Sequence, residues 1–267
     1  HGAGLGLRHL VRRGSTRLFP MIRKSSFPLL GLLLLLQSVN PQSAAGAPAL
    51  EAPTASRHIY RHHSVPAGHV VEGEEEDIEV EVLSTATAME YRSVIASAVS
   101  RKKVAIVTDE KGRFLSAART IIDARGRAVT ETVRRNGGTA YLERIEGTDR
   151  TKKEVRLPTD RVLGVDASLV LLLRLFPFDT GSRWELFMID FSGHSVDVTA
   201  HQAAVEQVRV AAGTFECYRI DVLVRVPILM PRIILWLSKE SPHLLVKSLG
   251  QRGPFTPTYD TYLTGKE

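Results

Sequence analysis

The feature that most constrains the fold of this chain is an alternation of apolar and polar residues that begins at Ile78. Ile78, Val80 and Val82 alternate with Glu79 and Glu81, a pattern typical of a strand with one buried face. Strand-like runs recur at 91–99, 104–108, 119–123, 129–134, 140–145, 154–157, 184–191, 196–199, 205–210, 215–226, 233–238, 244–249 and 258–263. The sequence therefore predicts about a dozen strands and a mainly β fold.

Turns that contain glycine separate several of these runs. Lys111-Gly112, Arg125-Gly126 and Asn136-Gly137-Gly138 each lie between two strand-like segments, and Asn-Gly in that position is a strong hairpin signal. Sheets with many strands tend to curl, and curling removes or covers their edges. We predict a strongly curved antiparallel sheet that is barrel-like, either open or closed.

One segment of the second half predicts a helix. Residues 167–175, ASLVLLLRL, are mostly good helix formers, Asp166 can cap them, and Pro177 ends the run. The segment is apolar nearly all round, with Arg174 as the exception. Such a helix must be buried or contact a membrane or a ligand. We expect one apolar helix packed on the sheet.

The first part of the chain has the three parts of a secretory signal peptide. Met21, a plausible start, is followed by two basic residues, by the apolar run 27–36 and then by Ala45-Gly46-Ala47. Spanning a bilayer takes about 20 apolar residues, so a membrane anchor is the less favoured alternative. We predict that 1–47 is an upstream segment and signal peptide, cleaved after Ala47, and that the remainder is periplasmic in a bacterium.

The positive charge of the chain belongs to that predicted leader. The sequence has 35 basic and 29 acidic residues, and residues 1–47 contain six basic and no acidic ones. The rest is therefore balanced, with 29 residues of each sign. Nucleic-acid binding needs a basic surface on the folded domain, so this composition argues against a nucleic-acid partner.

Residues 48–77 show no apolar periodicity. They are rich in Ala, Pro, Ser, His and Glu, a composition typical of disordered segments. His58 and His62 could share a metal ion if this stretch were helical, but a solvated polar tail that includes His63 and His69 is favoured. We predict a disordered linker over 48–77, followed by a single β-rich domain over 78–267.

The second half of the chain contains five segments of a recognisable pattern: LVLLLRL (169–175), FDTG (178–181), VAAGTFECY (210–218), WLS (236–238) and PHLLVK (242–247). In these segments the chain resembles a family of exported bacterial proteins, the domain-of-unknown-function family 3108. The resemblance covers residues 155–265 and implies export and a β-rich fold. Its motifs are structural, so it implies no catalytic residue.

The sequence gives little support to catalysis. Residues 192–195, Ser-Gly-His-Ser, lie near Asp197, but a triad is set by geometry, and neighbours on a strand point to opposite faces. Cys217 is the single cysteine, so no internal disulfide is expected, and it lacks a strong activating neighbour. We predict no enzymatic activity, cofactor or metal; a hydrolase that uses His194 or Cys217 is the weakest alternative.

Two apolar features point to ligand binding. One is the predicted helix, and the other is the loop 227–232, PILMPR, which is apolar where loops are normally polar. We predict that the domain binds a lipid, another apolar small molecule or an envelope component, with peripheral membrane contact possible. The predicted ligand-binding residues are Leu169, Leu172, Leu173, Phe176, Ile228, Leu229, Met230 and Trp236. The alternative is a scaffold that pairs with another envelope protein through a sheet edge.

Overall fold

A computed structural model describes residues 56–67, 75–85, 87–159, 161–165, 168–178, 182–225, 231–251 and 257–267. Within these ranges the chain forms one sheet of fifteen strands and one short helix. The first eight strands are β1 (Ser56–Pro66), β2 (Glu76–Ser84), β3 (Ala88–Ala96), β4 (Ser100–Asp109), β5 (Phe114–Asp123), β6 (Ala128–Asn136), β7 (Thr139–Glu146) and β8 (Asp149–Arg156). The remaining elements are β9 (Val162–Val165), α1 (Leu169–Leu173), β10 (Arg183–Ile189), β11 (Ser195–Val210), β12 (Gly213–Arg225), β13 (Arg232–Ser238), β14 (Leu245–Gln251) and β15 (Thr258–Lys266).

Two antiparallel meanders make up this sheet, and they meet where β1 pairs with β15. One meander runs outward from β1 to β8, and the other runs from β15 back to β10. At the far end β9 pairs with β10 in parallel, which requires the crossover that contains α1. The prediction of a mainly β fold built on an antiparallel sheet is confirmed. The sheet is not closed in the described residues, because β8 and β9 form its two edges.

The sheet curls so that its two ends approach each other. Residues 157–161 are all that separates β8 from β9 in sequence, and a connection of that length spans at most about 20 Å. Val165 of β9 also shares a buried cluster with Ile106 of β4 and Val133 of β6. These strands are far apart in the order of the sheet, so only a curled sheet can bring them together.

The helix α1 lies against the inner face of this curl. Leu171 packs into the cluster formed mainly by β1 to β9, whereas Leu172 and Leu173 pack into a second cluster formed by β10 to β13. The predicted helix over 167–175 is wrong in its length. It begins after Ser168, and residues 174–176 bond to carbonyls three residues back, a tighter turn common at helix ends. Asp166, the predicted cap, lies outside the described residues.

The part of the chain that the structure describes contains no helix with the length and apolarity needed to cross a membrane.

The disordered linker predicted over 48–77 is wrong for residues 56–66, which form β1, and for Glu76 and Asp77, which begin β2. Two of the inward side chains of β1, His62 and Ser64, are polar, so the strand does not show the apolar alternation on which the prediction relied. His62 Nε2 donates to the backbone oxygen of Leu245 at 2.8 Å, and the hydroxyls of Ser64 and Thr261 lie 2.8 Å apart. Buried polar groups are tolerated when they are hydrogen-bonded. The partners come from β14 and β15, nearly 200 residues away in sequence.

Candidate functional site

A cavity of about 450 Å³ opens on the inner face of the curled sheet. Its walls come from β1 to β5 on one side and from β13 to β15 on the other, and α1 contributes Leu169, Val170 and Arg174. The volume is within the range of small-molecule sites in proteins. The cavity therefore lies where the two meanders and the helix meet.

Most of the cavity wall is apolar, because alternation along each strand directs apolar residues inward. Ile78 and Val80 line it from β2, and Ile233 and Leu235 line it from β13. Val170 adds an apolar surface from α1. The wall is suited to an apolar chain or ring.

Arg174 is the distinctive polar group of this cavity. Its Nε atom is sealed from solvent and has no hydrogen-bond partner. Its guanidinium carbon lies 5.5 Å from the centre of the Tyr60 ring, a cation–π distance. Among the residues that the structure describes, no carboxylate lies within ion-pair distance of it. Burial lowers the pKa of Arg174, and the phenols of Tyr60 and Tyr91 oppose that shift.

The groups around Arg174 are held neutral. Burial raises the pKa of Tyr60 and of Tyr91, with the charge of Arg174 acting in the opposite direction. Burial also lowers the pKa of His62, helped by Arg174 and opposed by the bond to the Leu245 carbonyl. A neutral His62 donates through Nε2 to that carbonyl, which fixes its tautomer. Arg174 therefore faces uncharged neighbours.

The other charged side chains that line the cavity are paired. Lys102 Nζ lies 3.2 Å from Glu76 Oε1, and Arg119 bonds the buried carboxylate of Glu131 at 2.7 Å. Glu76 lies four residues along β2 from Val80, which pairs with Tyr60. Four strand residues span about 13 Å, so this ion pair is far from the end of the cavity that holds Arg174.

The predicted ligand-binding residues are distributed over several places. Leu169 lines the cavity. The buried side chains Leu172, Leu173 and Phe176 belong to the second cluster, between α1 and β10 to β13. Trp236 packs beside Cys217 and Val246, and its Nε1 donates to Glu206. The predicted residues Ile228, Leu229 and Met230 lie outside the described residues.

Sequence reasoning missed Arg174 and His62 as parts of this site. The signal for Arg174 was present, since it is the one charged residue in an apolar helical segment. What the sequence could not show is that it lies without an acidic partner beside Tyr60. His62 was assigned to a disordered tail, so its inward direction was not foreseen.

Ser192 and His194, considered with Asp197 as a hydrolase site, lie in one of three copies of a hairpin turn, whereas Asp197 pairs with Arg161. The turns are 109–113 (DEKGR), 123–127 (DARGR) and 190–194 (DFSGH). In each, the first Asp accepts hydrogen bonds from the backbone N–H groups two and four residues later, at 2.8 to 3.0 Å. In each, the fifth side chain bonds the same carboxylate. His194 therefore occupies the place of Arg113 and Arg127.

The contacts of His194 differ from those of a catalytic base. Its Nδ1 atom lies 2.9 Å from Ser192 Oγ and 3.0 Å from Asp190 Oδ2, whereas a triad uses one ring nitrogen for the nucleophile and the other for the carboxylate. Desolvation would raise the pKa of Asp190, but hydrogen bonds from Ser192 and His194 hold it below its ordinary value. These hydrogen bonds stabilise the turn, as the equivalent bonds do in its other two copies.

Cys217 is fully buried on β12. Val208 and Val246 cover it in a small third cluster. Burial, followed by the charges of Glu206 and Glu216, raises the pKa of the thiol to about 12. The thiolate is the reactive form of cysteine, so this environment disfavours nucleophilic chemistry.

The histidines of β1 do not converge on a metal. His58 and His62 are four residues apart on a strand, which separates them by about 13 Å. His63 faces the other side and bonds Asp77 at 2.8 Å, while His69 lies outside the described residues. No group of three or more His, Cys, Asp or Glu side chains suited to a metal occurs in the described ranges.

Comparison with known proteins gives weak similarities only. No family model and no curated protein matches the chain. Among solved structures, a candidate lipoprotein from Parabacteroides distasonis is 12% identical with a TM-score of 0.33, over 80% of this chain and 97% of its own. A candidate exported protein with a YmcC-like fold from Bacteroides fragilis is 11% identical with a TM-score of 0.30, over 80% of this chain and 96% of its own.

Proposed function

We propose that this protein binds a small molecule with an apolar chain inside the curled sheet and does so without catalysis. The observation that carries the proposal is the cavity of about 450 Å³ between the two meanders and α1. Protein interiors are close-packed, and voids much larger than a water molecule are few. A cavity of this size with a largely apolar wall is suited to holding a guest.

The burial of α1 supports the same proposal. Leu172 and Leu173 anchor the helix in the second cluster, while Leu169 and Val170 face the cavity. The helix therefore contributes to the wall without filling the space. Desolvation of an apolar guest against it contributes roughly 25 cal/mol per Å² of buried surface.

Native mass spectrometry of the gently purified full chain tests the proposal. We expect a mass above that of the bare chain, and organic extraction should release an apolar molecule. A protein that has only its chain mass, and that takes up neither dodecanol nor dodecanoate when these are added, would contradict the proposal.

A pair of variants distinguishes the cavity from the outer surface. Leu169→Trp should fill part of the cavity and reduce the bound molecule, because the larger side chain occupies its space. Leu115→Trp is the matched control, since Leu115 is exposed and outside the cavity lining. If circular dichroism shows that both variants are folded and both retain the ligand equally, the ligand binds outside the cavity.

The proposal includes export to the periplasm. The basic, apolar and small-residue order in 23–47 supports it. N-terminal sequencing of the protein from a bacterial envelope fraction should give Pro48 as the first residue. An uncleaved chain in the cytoplasmic fraction would oppose this part of the proposal.

The alternatives have less support. A scaffold that pairs through a sheet edge would most readily use β8, but six of its eight residues are charged, and charged edges discourage strand addition. A hydrolase that uses His194 or Cys217 would lose activity in His194→Ala or Cys217→Ser. Membership of the domain-of-unknown-function family 3108 stays a prediction.

A further inference from the structure

The cavity contains a charge that the described residues do not balance. Of the three cationic side chains that line it, Lys102 and Arg119 have acidic partners at 3.2 and 2.7 Å. The half-buried Arg174 has no acidic partner in the part of the chain that the structure describes, and its buried Nε atom has no hydrogen-bond partner. Burying an unpaired charge is costly. A guest that supplies the missing anion would remove that cost.

The surroundings of Arg174 restrict what the anion can be. Tyr60, Tyr91 and His62 are uncharged at neutral pH because burial shifts each pKa toward the neutral form. One unpaired cation balances one negative charge, whereas a phosphate monoester carries more than one at neutral pH. A carboxylate has a single charge, and its two oxygens match the fork of a guanidinium group.

The remainder of the cavity is suited to an apolar tail. Ile78, Val80, Ile233 and Leu235 form opposite walls, and the second ion pair at Glu76 and Lys102 is about 13 Å farther along the strand direction. Along the strand direction, a chain that starts at Arg174 therefore contacts these apolar side chains before it reaches the pair of Glu76 and Lys102, whereas Arg119 lies across the strands from Arg174 and is neutralised by Glu131.

We infer that the cavity binds a long-chain carboxylate, with the carboxylate head on the guanidinium group of Arg174 and the alkyl chain between β2 and β13. This inference rests on the proposed binding function and adds the chemical class of the ligand and the residue that selects it. Arg174 is then the specificity-determining residue of the site.

Three dodecyl probes that differ only in the head group test the inference on the full wild-type chain. Dodecanoate is anionic, dodecanol is neutral and dodecyltrimethylammonium is cationic. Binding is measured by isothermal titration calorimetry below the micelle-forming concentrations. Dodecanoate should bind about 10- to 100-fold more tightly than dodecanol, the factor expected for a charge-assisted hydrogen bond, and the cationic probe should bind most weakly.

Two variants then assign the preference to Arg174. Arg174→Met keeps a long side chain without charge. The dissociation constants of dodecanoate and dodecanol for this variant should therefore agree within about threefold, whereas a charge-assisted hydrogen bond would separate them by about tenfold or more. Arg174→Lys keeps the charge and should retain part of the preference. Circular dichroism and thermal unfolding establish whether each variant is folded. The comparison of the three probes on the wild-type chain tests the inference even if one variant does not fold.

The outcomes distinguish a failure of this inference from a failure of the proposed binding function. Equal affinity of the wild-type chain for dodecanoate and dodecanol would overturn the anionic ligand and leave an apolar binding site. A preference for dodecanoate that survives in folded Arg174→Met would overturn the role of Arg174. Binding of no probe would remove the proposed function and this inference together.

Discussion

At the scale of single residues, His62 couples the stability of the fold to pH. Its ring is buried, and burial lowers its pKa below the ordinary value of 6.5. The unfolded chain therefore takes up a proton before the folded chain does, so stability falls as the pH drops below about 6.5. His62→Gln should weaken this dependence between pH 7 and pH 5 in urea unfolding.

An exposed histidine gives the control for that experiment. His201 lies on the surface, so its environment changes little on unfolding and His201→Gln should retain the pH dependence of the wild-type chain. If His62→Gln and the wild-type chain lose stability equally on acidification, His62 does not contribute to the effect.

A second residue-scale prediction concerns the repeated hairpin turn. Gly126 has a φ of 77° and open space around its α-carbon, so its replacement tests backbone conformation alone. Left-handed backbone costs an L-residue about 1–2 kcal/mol, and Gly126→Ala should lower the free energy of unfolding by that amount. Gly138→Ala is the control, since Gly138 has equal space and no left-handed backbone. Equal effects of the two changes would contradict the argument.

At the scale of elements, the short helix α1 is stabilised mainly by the burial of its leucine side chains. Leu172 is 1% exposed within the second cluster, and Leu172→Ala should lower the free energy of unfolding by about 2–5 kcal/mol because it leaves a cavity. Leu115→Ala, at an exposed position, should change it by less than about 0.5 kcal/mol. Urea unfolding checks both; a Leu172 effect as small as that of Leu115 would mean that α1 is not anchored there.

Most strands could be predicted from sequence because alternation is a local signal. Ile78, Val80 and Val82 define β2 by themselves, and glycine turns separate the hairpins on either side. β1 could not be found in this way, since its inward His62 and Ser64 depend on partners in β14 and β15. Arg174 was visible as an exception in an apolar segment, but its lack of a partner depends on how the whole sheet curls.

At the scale of the whole sheet, the pairing of β1 with β15 joins the two meanders, and it is the contact that local sequence could least reveal. It brings residues near 60 beside residues near 265. The walls of the cavity come from both meanders, so the site depends on this pairing. A chain in which 56–66 stayed unpaired would lose one wall of the cavity together with His62 and Tyr60.

Amide hydrogen exchange measures that dependence directly. The amides of β1 should exchange slowly, because β1 is paired on both sides by β2 and β15 and its inward residues are buried. The amides of β8 should exchange much faster, since β8 is an exposed edge paired only with β7, and local stability follows burial and pairing. Polar residues predominate in both strands, so composition alone would not predict slow exchange for β1. If β1 exchanged as fast as β8, the two meanders would not be stably joined, and the proposed cavity would lose its β1 wall.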